Sequence, residues 1–140
     1  MRPTVLLAAT ILASIAPATY GQPEPSSNYT SIEAEPNKPV QVGYYAQAPK
    51  DCSPSKLPVV RVVDAPTLGI LVVRPRQLNP GSVPNCPSLK VPVQLVTYRA
   101  RDKSTGSDHV MYSVTYPNGE IALYDVTIRI KEPAPKENKL

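Results

Sequence analysis

The sequence of 140 residues contains no Phe, no Trp and a single His, His109. Its two Cys do not form a Cys-x-x-Cys pair, so the ligand sets typical of structural zinc sites are missing. No Ser or Cys lies in a recognisable nucleophile motif, and no two carboxylates have the spacing of an acid–base pair. We therefore predict a non-catalytic protein that needs no cofactor or metal, with a catalytic role for His109 as the less favoured alternative.

Sustained helical periodicity is also absent, and the 18 Pro discourage long helices because each removes a backbone donor and fixes φ. The bulky side chains that remain are eight Tyr and many Val, which favour strands. The length allows one domain. We predict an all-β fold.

The first residues have the pattern of an export signal. Arg2 gives a positive start, the apolar run over 5–15 is too short to span a membrane, and Ala16-Pro17-Ala18 is a small-x-small cleavage site. We predict a signal peptide over 1–18, with cleavage after Gly21 or an uncleaved anchor as the alternatives. The mature protein is then periplasmic or secreted and has no membrane span.

Two polar segments flank the predicted domain at 40–131. Residues 19–39 are rich in Pro, Ser and Glu and are expected to form a flexible leader, and residues 132–140 a disordered tail. Asn28 begins an Asn-Tyr-Thr glycosylation pattern, which matters only in a eukaryotic host.

The clearest strands lie near the C-terminus. Apolar and polar residues alternate over 110–116 and again over 122–130, the period of a strand with one buried face. Between them, Tyr116-Pro117-Asn118-Gly119 has the composition of a hairpin turn. Further strands are predicted over 40–46, 59–63, 68–73 and 91–98, which brings the count to about six or seven.

The first strand of this hairpin and the residues that lead into it carry the motif Gly106-x-Asp108-x-x-x-Tyr112-x-Val114. Its spacing is that of the tyrosine corner in immunoglobulin-like sandwiches. The motif and the final hairpin resemble bacterial immunoglobulin-like and cadherin-like modules of the cell envelope. The resemblance implies an immunoglobulin-like β-sandwich of about seven strands, in which Gly106, Asp108 and Tyr112 form a structural corner and Asp108 bonds the loop that delivers Tyr112. Calcium binding by Asp108 is the alternative, although most of the ligands it would need are missing.

Two Cys in an exported chain favour one disulfide, here between Cys52 and Cys86. The loop it would close contributes roughly 3–4 kcal/mol of stability in the chain-entropy account. A reactive thiol is the alternative.

Fifteen Lys and Arg against 11 Asp and Glu give a net charge of +4. Arg99, Arg101 and Lys103 cluster in the sequence and form an anion-binding patch if their loop meets the one near Arg74 and Arg76. Aromatic residues are not interleaved with these charges, so nucleic acid is not an expected partner.

These features together predict an exported, non-catalytic, monomeric domain with a binding or structural role in the cell envelope. Its partner is an unknown protein or an envelope polymer. Electrostatic binding of anionic polymers or glycans is one alternative, and enzyme inhibition through the irregular segment 75–87 is another.

Overall fold

A computed structural model describes residues 13–21, 24–133 and 135, and this part of the chain contains strands but no helix. The strands are β1 (Ser26–Ala34), β2 (Pro39–Tyr45), β3 (Val59–Asp64), β4 (Gly69–Gln77), β5 (Pro92–Ala100), β6 (Gly106–Thr115) and β7 (Ile121–Ile130). The all-β prediction is confirmed. Nowhere in the described ranges is there a helix with the length and apolar character that crossing a membrane requires.

The strands form two sheets, with the orders β1-β7-β6-β3 and β2-β5-β4. All neighbouring strands are antiparallel except β1 and β7, which run parallel. In an immunoglobulin sandwich the second, fourth and fifth strands share one layer and the third, sixth and seventh share the other. This chain has that arrangement, with its first strand placed beside its last. The predicted immunoglobulin-like sandwich of about seven strands is confirmed.

The core lies between the two sheets and follows the two-residue period of the strands. The side chains with no exposed surface come from the inner faces of both layers: Val96, Tyr98, Val110, Tyr112, Val114, Val126 and Ile128. Tyr98 and Tyr112 supply the bulk that Phe and Trp provide elsewhere. Because each buried tyrosine also carries a hydroxyl, this core must contain hydrogen-bond partners as well as apolar surface.

The β6–β7 hairpin has the predicted turn. Gly119 takes a positive φ of 90°, the conformation that favours Gly at this position. The amide of Tyr116 donates to the carbonyl of Glu120 at 2.8 Å, and the amide of Glu120 donates to Oδ1 of Asn118 at 3.0 Å.

The prediction of a flexible leader over 19–39 is wrong for its second half. Residues Ser26–Ala34 pair with β7 in an unbroken parallel register, from Ser26 beside Ala122 to Ala34 beside Ile130. Composition could not reveal this strand because most of its side chains are exposed and polar, and it is held by backbone bonds to a strand about a hundred residues away. The sandwich therefore begins at Ser26.

Parts of the predicted signal peptide and of the predicted tail fall outside the described residues. These parts are 1–12 of the predicted signal peptide, and 134 and 136–140 of the predicted tail. Within the predicted irregular segment 75–87, Pro75 to Gln77 belong to β4, where Pro is tolerated because β4 is an edge strand.

Candidate functional site

Asp108 is the one buried charged residue in the described chain, with 4% of its surface exposed. Its carboxylate accepts hydrogen bonds from the backbone amides of Thr67 and Leu68, both at 2.9 Å. The hydroxyl of Tyr98 donates to it at 2.7 Å, and the amide of His109 at 2.9 Å. Burial alone would raise the pKa of Asp108, but these four donors outweigh burial and lower it.

This arrangement connects the two layers. Asp108 stands on β6, whereas the turn before β4 and the Tyr98 hydroxyl belong to the other sheet. The sequence predicts that Asp108 bonds the loop that delivers Tyr112. In the structure it instead bonds the β3–β4 turn and the hydroxyl of Tyr98. The hydroxyl oxygens of Tyr112 and Tyr45 lie 2.5 Å apart and are hydrogen-bonded, and the Tyr112 ring stacks on Tyr124. Gly106 opens β6 with a φ of 102°.

Calcium binding does not follow from this geometry. The carboxylate oxygens of Asp108 already accept bonds from protein donors, and a calcium ion needs six to eight oxygen ligands. Across residues 13–21, 24–133 and 135, no three His, Cys, Asp or Glu side chains are grouped to hold a metal.

Cys52 and Cys86 form the predicted disulfide, which closes a sequence separation of 34 residues. Cys86 is buried and Cys52 is exposed. The bridge joins the β2–β3 loop to the β4–β5 loop. The latter loop is also held by the amide of Leu78, which donates to the carbonyl of Val91 at 2.9 Å. The loop that contains most of the predicted irregular segment is thus closed at its base by this bond and joined by the disulfide to the β2–β3 loop.

On the opposite face of β6 from Asp108, His109 lies between two carboxylates. Its Nδ1 is 3.1 Å from Oδ2 of Asp64, and its Nε2 is 2.7 Å from Oδ1 of Asp125. The hydrogen bond to Asp125 raises the pKa of His109 most; partial desolvation opposes the rise, and Asp64 adds to it. This triad spans β3, β6 and β7, so sequence spacing gave no sign of it.

The His109 triad is suited to holding strands together rather than to proton abstraction. A ring whose two nitrogens both face carboxylates is stabilised as the cation, which donates twice and has no free lone pair to act as a base. When protonated, the ring bridges the edge strand β3 to β7 across β6.

The outer face of the β2-β5-β4 sheet carries a groove of about 400 Å³. We call it the arginine groove. Its eight lining residues are Pro39, Ile70, Val72, Arg74, Arg76, Leu95, Thr97 and Arg99. None of them is acidic, and the three arginines are exposed.

Strand register explains the layout of the arginine groove. Arg99 lies opposite Ile70, Thr97 opposite Val72, and Leu95 opposite Arg74. At about 3.4 Å per residue, the rows that hold Arg99 and Arg74 are roughly 14 Å apart. The groove therefore has an uncharged strip along its middle and positive charge at each end.

The structure groups Arg99 with Arg74 and Arg76, and not with the other members of the predicted patch. Arg101 does not line the groove, and its Nη1 donates to the carbonyl of Thr67 at 2.9 Å. Lys103 lies in the β5–β6 turn with a φ of 58°. The sequence identifies all five cations and groups Arg99, Arg101 and Lys103 by proximity in the chain. Strand pairing instead decides which cations meet.

No protein-family model matches the chain, and neither does any curated protein. Among solved structures, it is similar to the 2,6-sialyltransferase of Vibrionaceae Photobacterium sp. JT-ISH-224, solved with the donor product CMP and the acceptor substrate lactose. The TM-score is 0.40 and the identity 9%, over 80% of this chain and 19% of the enzyme. A similarity this low carries no argument about family or activity.

Proposed function

We propose that this protein is an exported, non-catalytic, immunoglobulin-like module of the cell envelope that binds an anionic polymer or glycan through the arginine groove. The observation that carries the proposal is the groove itself, with three exposed arginines and no acid among its lining residues. Guanidinium groups suit this role because they are always charged and pair bidentately with carboxylate, sulfate or phosphate.

The uncharged strip supports a chain-like ligand over a single small anion. Val72, Leu95 and Thr97 offer a shallow surface on which a polymer segment can rest, and the arginine rows at either end engage separate anionic groups. Charges that engage one linked chain act together, so the second contact is made at a high effective concentration.

Export is part of the proposal. A disulfide persists in oxidising compartments and is rare in the cytosol, so the Cys52–Cys86 bridge supports a periplasmic or secreted location. The apolar run that precedes Ala16-Pro17-Ala18 supplies the signal for it. The resemblance to envelope immunoglobulin-like and cadherin-like modules points to the same compartment.

A charge-matched comparison tests the function. Binding of the disulfide-bonded protein to immobilised heparin, lipopolysaccharide and teichoic acid is measured from low to high salt. We expect binding to weaken with salt. The triple variant Arg74→Gln, Arg76→Gln, Arg99→Gln should lose at least tenfold in affinity.

The control variant Lys50→Gln, Arg101→Gln, Lys103→Gln removes the same charge outside the groove and should keep most of the binding. Equal losses of affinity in the two variants would mean that net charge, and not the groove, determines binding, and would overturn the proposal. A larger loss in the control would place the site outside the groove and would also overturn the proposal. Absence of binding to all three polymers would overturn the proposed function.

A further inference from the structure

We propose that β3 pairs edge to edge with β3 of a second copy, which makes the protein a two-fold dimer with one sheet continuous across both subunits. This inference concerns the four-stranded sheet and does not depend on the arginine groove, which lies on the other layer.

The first step is that β3 has an open edge. One side of it pairs with β6, and no strand of the described chain pairs with the other. Val59, Val62 and Val63 are 49%, 47% and 61% exposed. An edge that combines free backbone groups with exposed β-branched side chains is a template for pairing with another strand.

The other three edges carry more protection. β4 contains Pro75 between two arginines, and β2 begins with Pro39 and has a bulge between Gln41 and Gly43. The outward side chains of β1 are mostly polar. β3 contains no proline, and its bulge between Val62 and Asp64 leaves Arg61 opposite Ser113 and Asp64 opposite Met111 of β6, on the same face of the sheet. Variable-type immunoglobulin sandwiches place additional strands in this sheet, so the position can accommodate one.

The second step identifies the occupant from charge. Arg61 and Asp64 are both exposed and lie on either side of the Val62–Val63 pair. An antiparallel two-fold arrangement centred near these valines brings Arg61 beside Asp64 of the partner subunit, and symmetry makes this contact twice. Centring the axis on Arg61 would instead oppose two guanidinium groups, which is unfavourable. Asp64 contacts His109 through Oδ2, so Oδ1 remains for the new contact.

Sedimentation equilibrium of the disulfide-bonded full chain over a wide concentration range tests the dimer. We expect a weight-average mass that approaches twice the chain mass as concentration rises. The double variant Val62→Lys, Val63→Lys introduces like charges at the centre and should raise the dissociation constant at least tenfold. Tyr29→Lys is the control, because Tyr29 is 79% exposed on the opposite edge strand of the same sheet.

A charge-exchange experiment distinguishes the loss of an intersubunit contact from a variant that fails to fold. Arg61→Glu alone and Asp64→Lys alone should each weaken self-association several-fold. Mixing the two variants should restore a dimer, because Glu at 61 then meets Lys at 64 and Arg at 61 meets Asp at 64. A wild-type protein that stays monomeric, a dimer that Tyr29→Lys disrupts instead, or a mixture with no more dimer than its components would each overturn the proposal.

Discussion

The two ends of the sandwich are held together by different chemistry. At the end with the short β3–β4 turn, the Asp108 carboxylate accepts bonds from the turn's backbone and from Tyr98. At the end with the long β2–β3 and β4–β5 loops, the Cys52–Cys86 disulfide joins them. A short turn lies close enough for one side chain to satisfy its amides. Long loops lose more conformational entropy on closure, and there a covalent link contributes most.

The largest expected effect comes from breaking the Asp108 end. Asp108→Ala leaves the donors of Thr67, Leu68 and Tyr98 without their acceptor, and should lower the free energy of unfolding by about 4 kcal/mol. Asp108→Asn keeps one oxygen acceptor and should cost about half as much. Urea denaturation measures both. Equal losses would mean that shape, and not acceptor capacity, matters at this position.

Breaking the other end should cost slightly less. Replacing Cys52 and Cys86 together by Ala should lower the free energy of unfolding by about 3 kcal/mol, because the unfolded chain regains its loop entropy. Denaturation of the double variant and of the wild type with reductant should agree. A wild type whose stability does not change on reduction would contradict this account.

A third prediction concerns a single hydrogen bond of Asp108, the one that it accepts from Tyr98. Tyr98→Phe deletes the hydroxyl that donates to Asp108 at 2.7 Å and leaves the ring in place. The expected loss is about 1.5 kcal/mol, typical of a hydrogen bond to a charged group. Tyr29→Phe is the control, because Tyr29 is exposed, and it should leave stability unchanged.

The smallest expected effect is the pH dependence of stability, to which Asp108 and its neighbour His109 contribute with opposite sign. The pKa of Asp108 is lowered, so its stabilisation is present above its unfolded value near 3.9 and is lost as pH falls through the folded pKa. The pKa of His109 is raised, so its contribution is present below about 6.5 and is lost as pH rises through the folded pKa. His109 is partly exposed, and its contribution should stay below about 1 kcal/mol.

Two NMR titrations check these signs, one of the His109 ring and one of the Asp108 carboxyl carbon. His109 should titrate above its ordinary range in the wild type and move back toward it in Asp125→Asn. A His109 that titrates at its ordinary value in the wild type would show that the triad does not form.

The sequence predicts those parts of the fold that rest on local patterns. Alternation in β6 and β7 and the Pro-Asn-Gly turn fix a hairpin within a few residues of chain, and two Cys leave one pairing. β1 could not be found this way, because its side chains are polar and its partner is distant in sequence. Period-two patterning identifies a buried face, but not a strand whose two faces are both exposed.

The candidate sites, too, could be predicted from the sequence only where they rest on local patterns. The spacing of Asp108 marked it as structural, but its partners Thr67 and Tyr98 come from elements that only the sandwich brings together. The His109 triad and the arginine groove each depend on the register between strands, and a register shift of one residue would reverse which face each side chain occupies. Without strand pairing, those side chains form no recognisable group.

The parallel pairing of β1 with β7 determines how the module responds to mechanical tension. β1 starts beside Ala122 and ends beside Ile130, so the chain enters at one end of the sandwich and leaves β7 at the other. Pulling on both sides therefore slides two adjacent strands past each other along their length. The ladder between them is loaded in shear, with its hydrogen bonds sharing the force instead of opening one after another.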